Sequence, residues 1–203
     1  RFPAPDVACE QRATPIFAAD MAIIPFSKWQ GTGNDFILID DREAVFPVDD
    51  LQLVRQLCDR HFGIGSDGLI LLRKSRTEGN AYQMEFFNPD GSKSFCGNGS
   101  RCAYAFWCEV VKDRNDARFT AIDGEHAARW NGDEVEITMR DVQGIEQFET
   151  DSDLLNTGSP HLVLWVDDPA SIEVIPAAHI HRYGPRFKAE GVNVNFVRWH
   201  DGR

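Results

Sequence analysis

The chain of 203 residues is 42 % hydrophobic and 11 % aromatic, enough apolar side chain for a packed core and too much for wholesale disorder. Its 21 Lys+Arg against 32 Asp+Glu leave a formal charge of −11, which argues against a protein that neutralises nucleic-acid phosphates or lies on an anionic membrane. The longest apolar runs, such as Leu69-Ile-Leu-Leu72, fall far below the roughly 20 residues of a membrane helix, so the composition reads as a soluble, acidic, globular chain.

Residues 1 to 20 lack hydrophobic periodicity and do not open on methionine, whereas Met21-Ala-Ile-Ile-Pro-Phe reads as a genuine start. They are taken as a leader, an added segment or a mis-assigned start, outside the fold and without the basic and apolar regions of a secretory signal. Phe36-Ile-Leu-Ile39 and Leu69-Ile-Leu-Leu72 read as buried strands. Between them Leu51, Val54, Leu57 and Cys58 recur at helical spacing behind the capping candidates Asp49 and Asp50, and Gly63 and Gly65 stand where a left-handed residue could end that helix. Met84-Glu-Phe-Phe87 is a strand stopped by the turn Asn88-Pro-Asp-Gly91. Residues 101 to 111 are apolar nearly all the way round, the mark of a buried helix.

A hairpin follows, with His126 to Trp130, the turn Asn131-Gly132, and Val135, Ile137 and Met139 alternating with polar residues. Beyond Asp141 the chain reads as a strand at Leu162 to Val166, a short helix near Ala177 to Tyr183 closed by Gly184-Pro185, and a strand at Val192 to Val197. No short-period repeat interrupts this pattern. The fold class is α+β, mainly strands wrapped about a few buried helices.

Cysteines stand at 9, 58, 96, 102 and 108, an odd set without any C-x-x-C pair, which points to a reducing cytoplasm rather than to disulfides or zinc. Cys96-Gly-Asn-Gly-Ser-Arg-Cys102 carries the most information. It places a thiol before a buried helix and behind a glycine-rich turn, where unpaired N–H groups favour a thiolate or a bound carboxylate. Cys96 is therefore expected to have a lowered pKa. Cys102 and Cys108 fall inside the helix and read as structural.

Gly31-Thr-Gly-Asn-Asp-Phe36 lacks the third glycine of a dinucleotide loop and precedes a strand, so it reads as a tight turn that exposes Asn34. His179-Ile-His181 has the spacing of one face of a strand but no further ligand nearby, and reads as a surface pair. His161 follows the turn Gly158-Ser159-Pro160. Walker A, H-E-x-x-H and G-x-S-x-G patterns are all missing from the sequence.

Together these segments resemble the diaminopimelate epimerase family. The resemblance rests on Lys28-Trp-Gln-Gly-Thr-Gly-Asn-Asp-Phe36, Asp59-Arg-His-Phe-Gly-Ile-Gly-Ser-Asp-Gly68, Phe87-Asn-Pro-Asp-Gly91, Cys96-Gly-Asn-Gly-Ser-Arg-Cys102, Gly158-Ser-Pro-His161 and Asn193-Val-Asn-Phe196, in the family's order. It implies two similar strand-rich, barrel-like halves, each around a central helix, with the active site between them. The expected division is a leader at 1–20, a first half at 21–143 and an incomplete second half at 144–203.

The implied activity is cofactor-independent interconversion of LL- and meso-diaminopimelate by two thiols, in a cytoplasmic enzyme and with a homodimer as a compatible assembly. Cys96 matches one catalytic thiol; Asn34, Asn88, Gly97, Asn98, Ser159 and Asn193 match substrate-holding positions; His161 matches a residue that tunes the thiols. Ser159 departs from the asparagine found in many members. Asn34, Asn88 and Asn98 are expected to line one pocket with Cys96. The second half's own cysteine–glycine motif does not precede Arg203, so this chain is expected not to epimerise alone. The alternatives are a proline-racemase-like or phenazine-pathway isomerase of the same fold, or an inactive amino-acid-binding remnant.

Overall fold

The computed structural model describes residues 23–199. The leader at 1–20, Met21 and Cys9 lie outside them. The first sheet has seven strands in chain order: β1 (Ser27–Gly31), β2 (Asn34–Asp40), β3 (Gly68–Arg73), β4 (Tyr82–Phe87), β5 (Ala117–Ala121), β6 (Gly124–Asn131) and β7 (Glu134–Ile137). β2 and β3 are parallel and joined by α1 (Leu51–Cys58); β4 and β5 are parallel and joined by α2 (Gly97–Val111); the other neighbours are antiparallel.

Because β3 and β4 are antiparallel, the two parallel pairs run in opposite directions. Crossovers of one hand must then pass on opposite faces of the sheet. The packing has this form. Val54 and Cys58 of α1 pack with Ile37, Ile39, Leu69 and Leu71, while Cys102, Ala103 and Phe106 of α2 pack with Phe36, Leu38, Ile70 and Leu72. Both faces of β2 and β3 are covered, which explains why they read as unbroken apolar runs rather than alternating ones. Each fully buried Leu or Ile here contributes about 1.5–3 kcal/mol.

The helix of the C-x5-C segment begins at Gly97, four residues before the apolar run, because Cys96 caps it and the Ser100 N–H reaches the Cys96 carbonyl at 2.8 Å. α1 starts behind Asp50, whose carboxylate accepts from the Leu53 N–H at 3.0 Å. It ends at an extended Asp59, and the left-handed residue is Gly65, at φ +77°, with its N–H on the Leu57 carbonyl. The β6–β7 turn is Gly132-Asp133 rather than Asn131-Gly132, since Asn131 pairs with Glu134.

The second sheet has the order β11-β10-β9-β8, formed by β8 (Ile145–Glu149), β9 (Ser152–Asn156), β10 (Pro160–Trp165) and β11 (Asn193–Val197). β10 and β11 are parallel and joined by α3 (Val174–Arg182). An antiparallel pair followed by a helical crossover to a parallel strand thus occurs in both sheets, as β1-β2-α1-β3 and as β9-β10-α3-β11. A Thr-Gly turn joins the antiparallel pair in each, at Thr32-Gly33 and at Thr157-Gly158. Leu162, Phe187 and Val192 form the small core of this sheet. His179 and His181 lie on α3, not on a strand, so their spacing of two sends them to different sides of a helix, and His179 packs edge-on to Tyr183. Among the described residues no group of three or more His, Cys, Asp or Glu could hold a metal.

Candidate active site

Cys96 sits at the mouth of α2, half-buried, with the Gly99 N–H directed at its Sγ at 3.4 Å. The hairpin turn Thr32-Gly33, with both residues at positive φ, brings the end of β1 onto this helix start. A Cβ on Gly31 would lie 3.2 Å from both the Asn98 carbonyl oxygen and Cys102 Sγ, so any larger residue there would have to push the start of α2 away by a few tenths of an ångström. The Cys96 pKa is raised, contrary to the expectation from the sequence. The helix-start N–H groups of Gly99 and Asn98 do lower it, but burial of the thiol outweighs them. Burial also pushes Cys102 up to about 11 and raises Cys58.

Asn34 and Asn98 are joined in a directed chain. Asn34 Nδ2 donates to Asp67 Oδ2 at 3.1 Å, and Asn98 Nδ2 donates to Asn34 Oδ1 at 2.7 Å. The Arg101 guanidinium in turn donates to Asn98 Oδ1. Asp67 is held by Arg60 at 2.7 Å, and Arg60 also binds Asp35 at 2.6 Å, which Lys28 pairs from the other side at 2.7 Å. These cations hold the Asp35 carboxyl well below the usual range, the Arg60 hydrogen bond contributing most. Each amide oxygen thus already accepts a bond from within the chain, and each NH2 group keeps one N–H free of these contacts. Asn88 is spent differently: its Nδ2 donates to Ser92 Oγ at 3.0 Å and Ser94 Oγ at 3.2 Å, bracing its own turn.

From the second sheet, Asn193 Nδ2 donates to Ser159 Oγ at 3.1 Å, and His161 Nε2 lies 3.3 Å from the same oxygen. Burial lowers the His161 pKa. The turn bearing Ser159 is pressed against the first sheet at Gly158, where a Cβ would come within 2.8 Å of Asp123 Oδ2 and 2.9 Å of Phe95 Cδ1. Asp123 pairs with His126 at 3.0 Å, and His126 stacks on Phe95, the neighbour of Cys96, at 4.5 Å.

These residues surround an open cavity of about 720 Å³. From the side of the first sheet Asn34, Asn88, Cys96, Gly97 and Asn98 line it, and from the second sheet Ser159, His161 and Asn193. All eight residues matched to the family's site thus line one space. Cys58, Cys102 and Cys108 are buried and do not line it.

The family model described as "Diaminopimelate epimerase" matches residues 26–144. A diaminopimelate epimerase of Flavobacterium psychrophilum is 41 % identical over 172 residues, covering 84 % of this chain and 66 % of its own length. One from Aquifex aeolicus is 37 % identical over 190 residues, covering 85 % and 68 %. The chain belongs to the diaminopimelate epimerase family. It spans about two thirds of the length of these relatives. Two solved structures share the epimerase fold at low identity: a phenazine biosynthesis protein of the PhzF family from Bacillus anthracis, with TM-score 0.53, 12 % identity and coverage of 88 % of this chain and 67 % of that one. The other is a hydroxyproline epimerase from Agrobacterium vitis, with TM-score 0.50, 14 % identity and coverage of 68 % and 50 %.

Sequence reasoning missed several groups on the wall of this epimerase-family cavity. Asp67 and Ser94 were inside or beside quoted motifs, yet their role as partners of Asn34 and Asn88 depends on contacts that spacing does not reveal. Arg182 and Glu190, from α3 and the segment after it, bring one charge of each sign to the wall and carried no local signal. Among the described residues no helix is long and apolar enough to cross a membrane.

Proposed function

We propose that this chain carries the substrate cavity and one acid/base thiol of a cytoplasmic, cofactor-independent epimerase that interconverts LL- and meso-diaminopimelate. The observation that supports this most is the convergence of Cys96, Asn34 and Asn98 with Ser159, His161 and Asn193 on one cavity between the two sheets. Residues 21–143 and 144–203 are read as the two halves that meet there.

Inverting an α-carbon requires a base on one face and an acid on the other. A thiolate that removes the α-proton becomes a thiol, and a thiol opposite that gives up its proton becomes a thiolate, so protons balance with no other co-reactant. Cys96 serves one face. The free N–H of Asn34 and Asn98, beside the positive end of α2, hold the α-carboxylate and stabilise charge as it spreads onto it. Ser159 and Asn193 hold the ligand from the other side, and His161 tunes the sulfur chemistry from within the same cavity. No other described cysteine reaches the cavity, so the thiol for the opposite face is not among the described residues.

The test is α-proton exchange. LL- and meso-diaminopimelate are incubated with the chain in deuterated water and followed by NMR. Deuterium is expected at the α-carbon of the epimer whose proton faces Cys96, and the exchange is expected to vanish in Cys96→Ala. Binding without exchange in either epimer would leave an amino-acid-binding domain and would overturn the catalytic role of Cys96.

A further inference from the structure

Asn195, on β11, points its amide at His161. Asn195 Nδ2 lies 3.1 Å from His161 Nδ1, and also 3.3 Å from the Leu162 carbonyl oxygen and 3.4 Å from that of Asn193. Those two carbonyls decide which end of the amide is which. With oxygen and nitrogen exchanged, an amide oxygen would face two carbonyl oxygens, so the nitrogen must point inward. An amide nitrogen only donates. His161 Nδ1 must therefore be the bare, accepting nitrogen, and the proton of the neutral ring must sit on Nε2.

The consequence passes to Ser159. Nε2–H donates to Ser159 Oγ at 3.3 Å. Asn193 Nδ2 donates to the same oxygen at 3.1 Å, and its own direction is set by the Pro160 carbonyl at 3.3 Å. A hydroxyl oxygen with both lone pairs occupied can only give its proton elsewhere. Among the described residues no acceptor is bonded to that proton, and Ser159 lines the cavity.

We propose that Asn195 is a positioning residue that locks His161 as the neutral Nε2–H tautomer and, together with Asn193, turns the Ser159 hydroxyl into a donor for a ligand carboxylate oxygen. Protonation of His161 would place an N–H against the Asn195 N–H, a clash that follows from the geometry of the pair alone. His161 then works as a hydrogen-bond donor rather than as a base or an imidazolium. The other titratable groups on its cavity, Cys96, Asp67, Asp90, Arg182 and Glu190, do not contact Nδ1, so Asn195 sets the tautomer. The tautomer stands on geometry alone; only the carboxylate rests on the function proposed above.

The experiment is a long-range proton–nitrogen correlation spectrum of the ¹⁵N-labelled chain, with the His161 signals assigned by their loss in His161→Gln. Wild type is expected to show a protonated Nε2 and a bare Nδ1 near neutral pH, with a midpoint below the ordinary histidine range. Asn195→Asp offers an acceptor in the same place and is expected to move the proton to Nδ1 and raise the protonation constant at least about tenfold. Asn195→Ala, which keeps no oxygen near the carbonyls, is expected to give mixed tautomers and decides the matter if the aspartate variant does not fold. An Nδ1–H form in wild type, or a spectrum unchanged by either substitution, would overturn the lock. Ser159→Ala is expected to weaken diaminopimelate binding about tenfold, whereas equal binding would overturn the donor role of the hydroxyl. A locked tautomer in a chain that fails to exchange the α-proton would sink the catalytic reading and leave this one standing.

Discussion

Gly158→Ala tests whether the two sheets are held together at the turn that carries Ser159. Gly158 has φ +115°, and a side chain in that region costs about 1–3 kcal/mol. The added methyl would also meet Asp123 Oδ2 at 2.8 Å and Phe95 Cδ1 at 2.9 Å. Neither neighbour gives way easily, because Asp123 is paired with a buried His126 and the Phe95 ring is stacked on that imidazole. Overpacking of this kind costs about a further 1–3 kcal/mol. Gly124→Ala is the matched control: its φ is +133°, but nothing lies within 4 Å of the added methyl, so it carries the backbone cost alone. Urea midpoints followed by tryptophan fluorescence should place Gly158→Ala below Gly124→Ala by about 1–3 kcal/mol. Two variants within about 0.5 kcal/mol of each other would mean that the turn does not bear on the Asp123–His126 pair, and the argument for that contact would fail.

Two further outcomes follow from the electrostatics. Under limiting iodoacetamide Cys96 should be the first of the described cysteines to label, because Cys58, Cys102 and Cys108 are buried, yet its rate should keep climbing beyond the ordinary thiol range of about 8.5 since its pKa is raised. A rate that levels off below that pH would show a thiolate-stabilising site instead. Asp35→Asn should lower stability at neutral pH by about 1 kcal/mol or less, the ion pairs with Lys28 and Arg60 being partly solvated. The folded pKa is depressed, so this contribution is complete above the unfolded value near 4 and shrinks as pH falls below it. A deficit that persists unchanged at pH 2 would trace to packing rather than charge.

The central strands were legible in the sequence because both their faces are buried, which leaves Phe36-Ile-Leu-Ile39 and Leu69-Ile-Leu-Leu72 as uninterrupted apolar runs. The peripheral strands were not. β8, Ile145-Glu-Gln-Phe-Glu149, is exposed along most of its length, and β1 and β5 have only partial apolar patterns. Helix starts were read late for identifiable reasons. Glycine-rich Gly97-Asn-Gly99 has low helical propensity but is secured by Cys96 and Ser100, and α3 begins at Val174 because Pro176 is tolerated in a first turn.

Membership of the candidate site was legible, but its polarity was not. Asparagine and serine each donate and accept, so Asn34, Asn98 and Ser159 as residue types say only that a polar ligand fits. Their partners remove the ambiguity. Asn98 occupies the Asn34 oxygen, Arg101 occupies the Asn98 oxygen, and Asn193 with His161 occupies the oxygen of Ser159. Each of these oxygens already accepts from within the chain, while each side chain keeps a donor for the cavity. The same accounting explains the sulfur. Two N–H groups at the start of α2 already favour the Cys96 thiolate, yet burial still raises the thiol pKa, so a lowered one could not be read from the position of a cysteine before a helix. Those donors, with Arg182, suit a carboxylate, and Asp67, Asp90 and Glu190 on the same wall suit an ammonium group. An amino acid brings both groups and so answers both signs on the wall, whereas a ligand with ammonium groups alone would leave the donors unpaired.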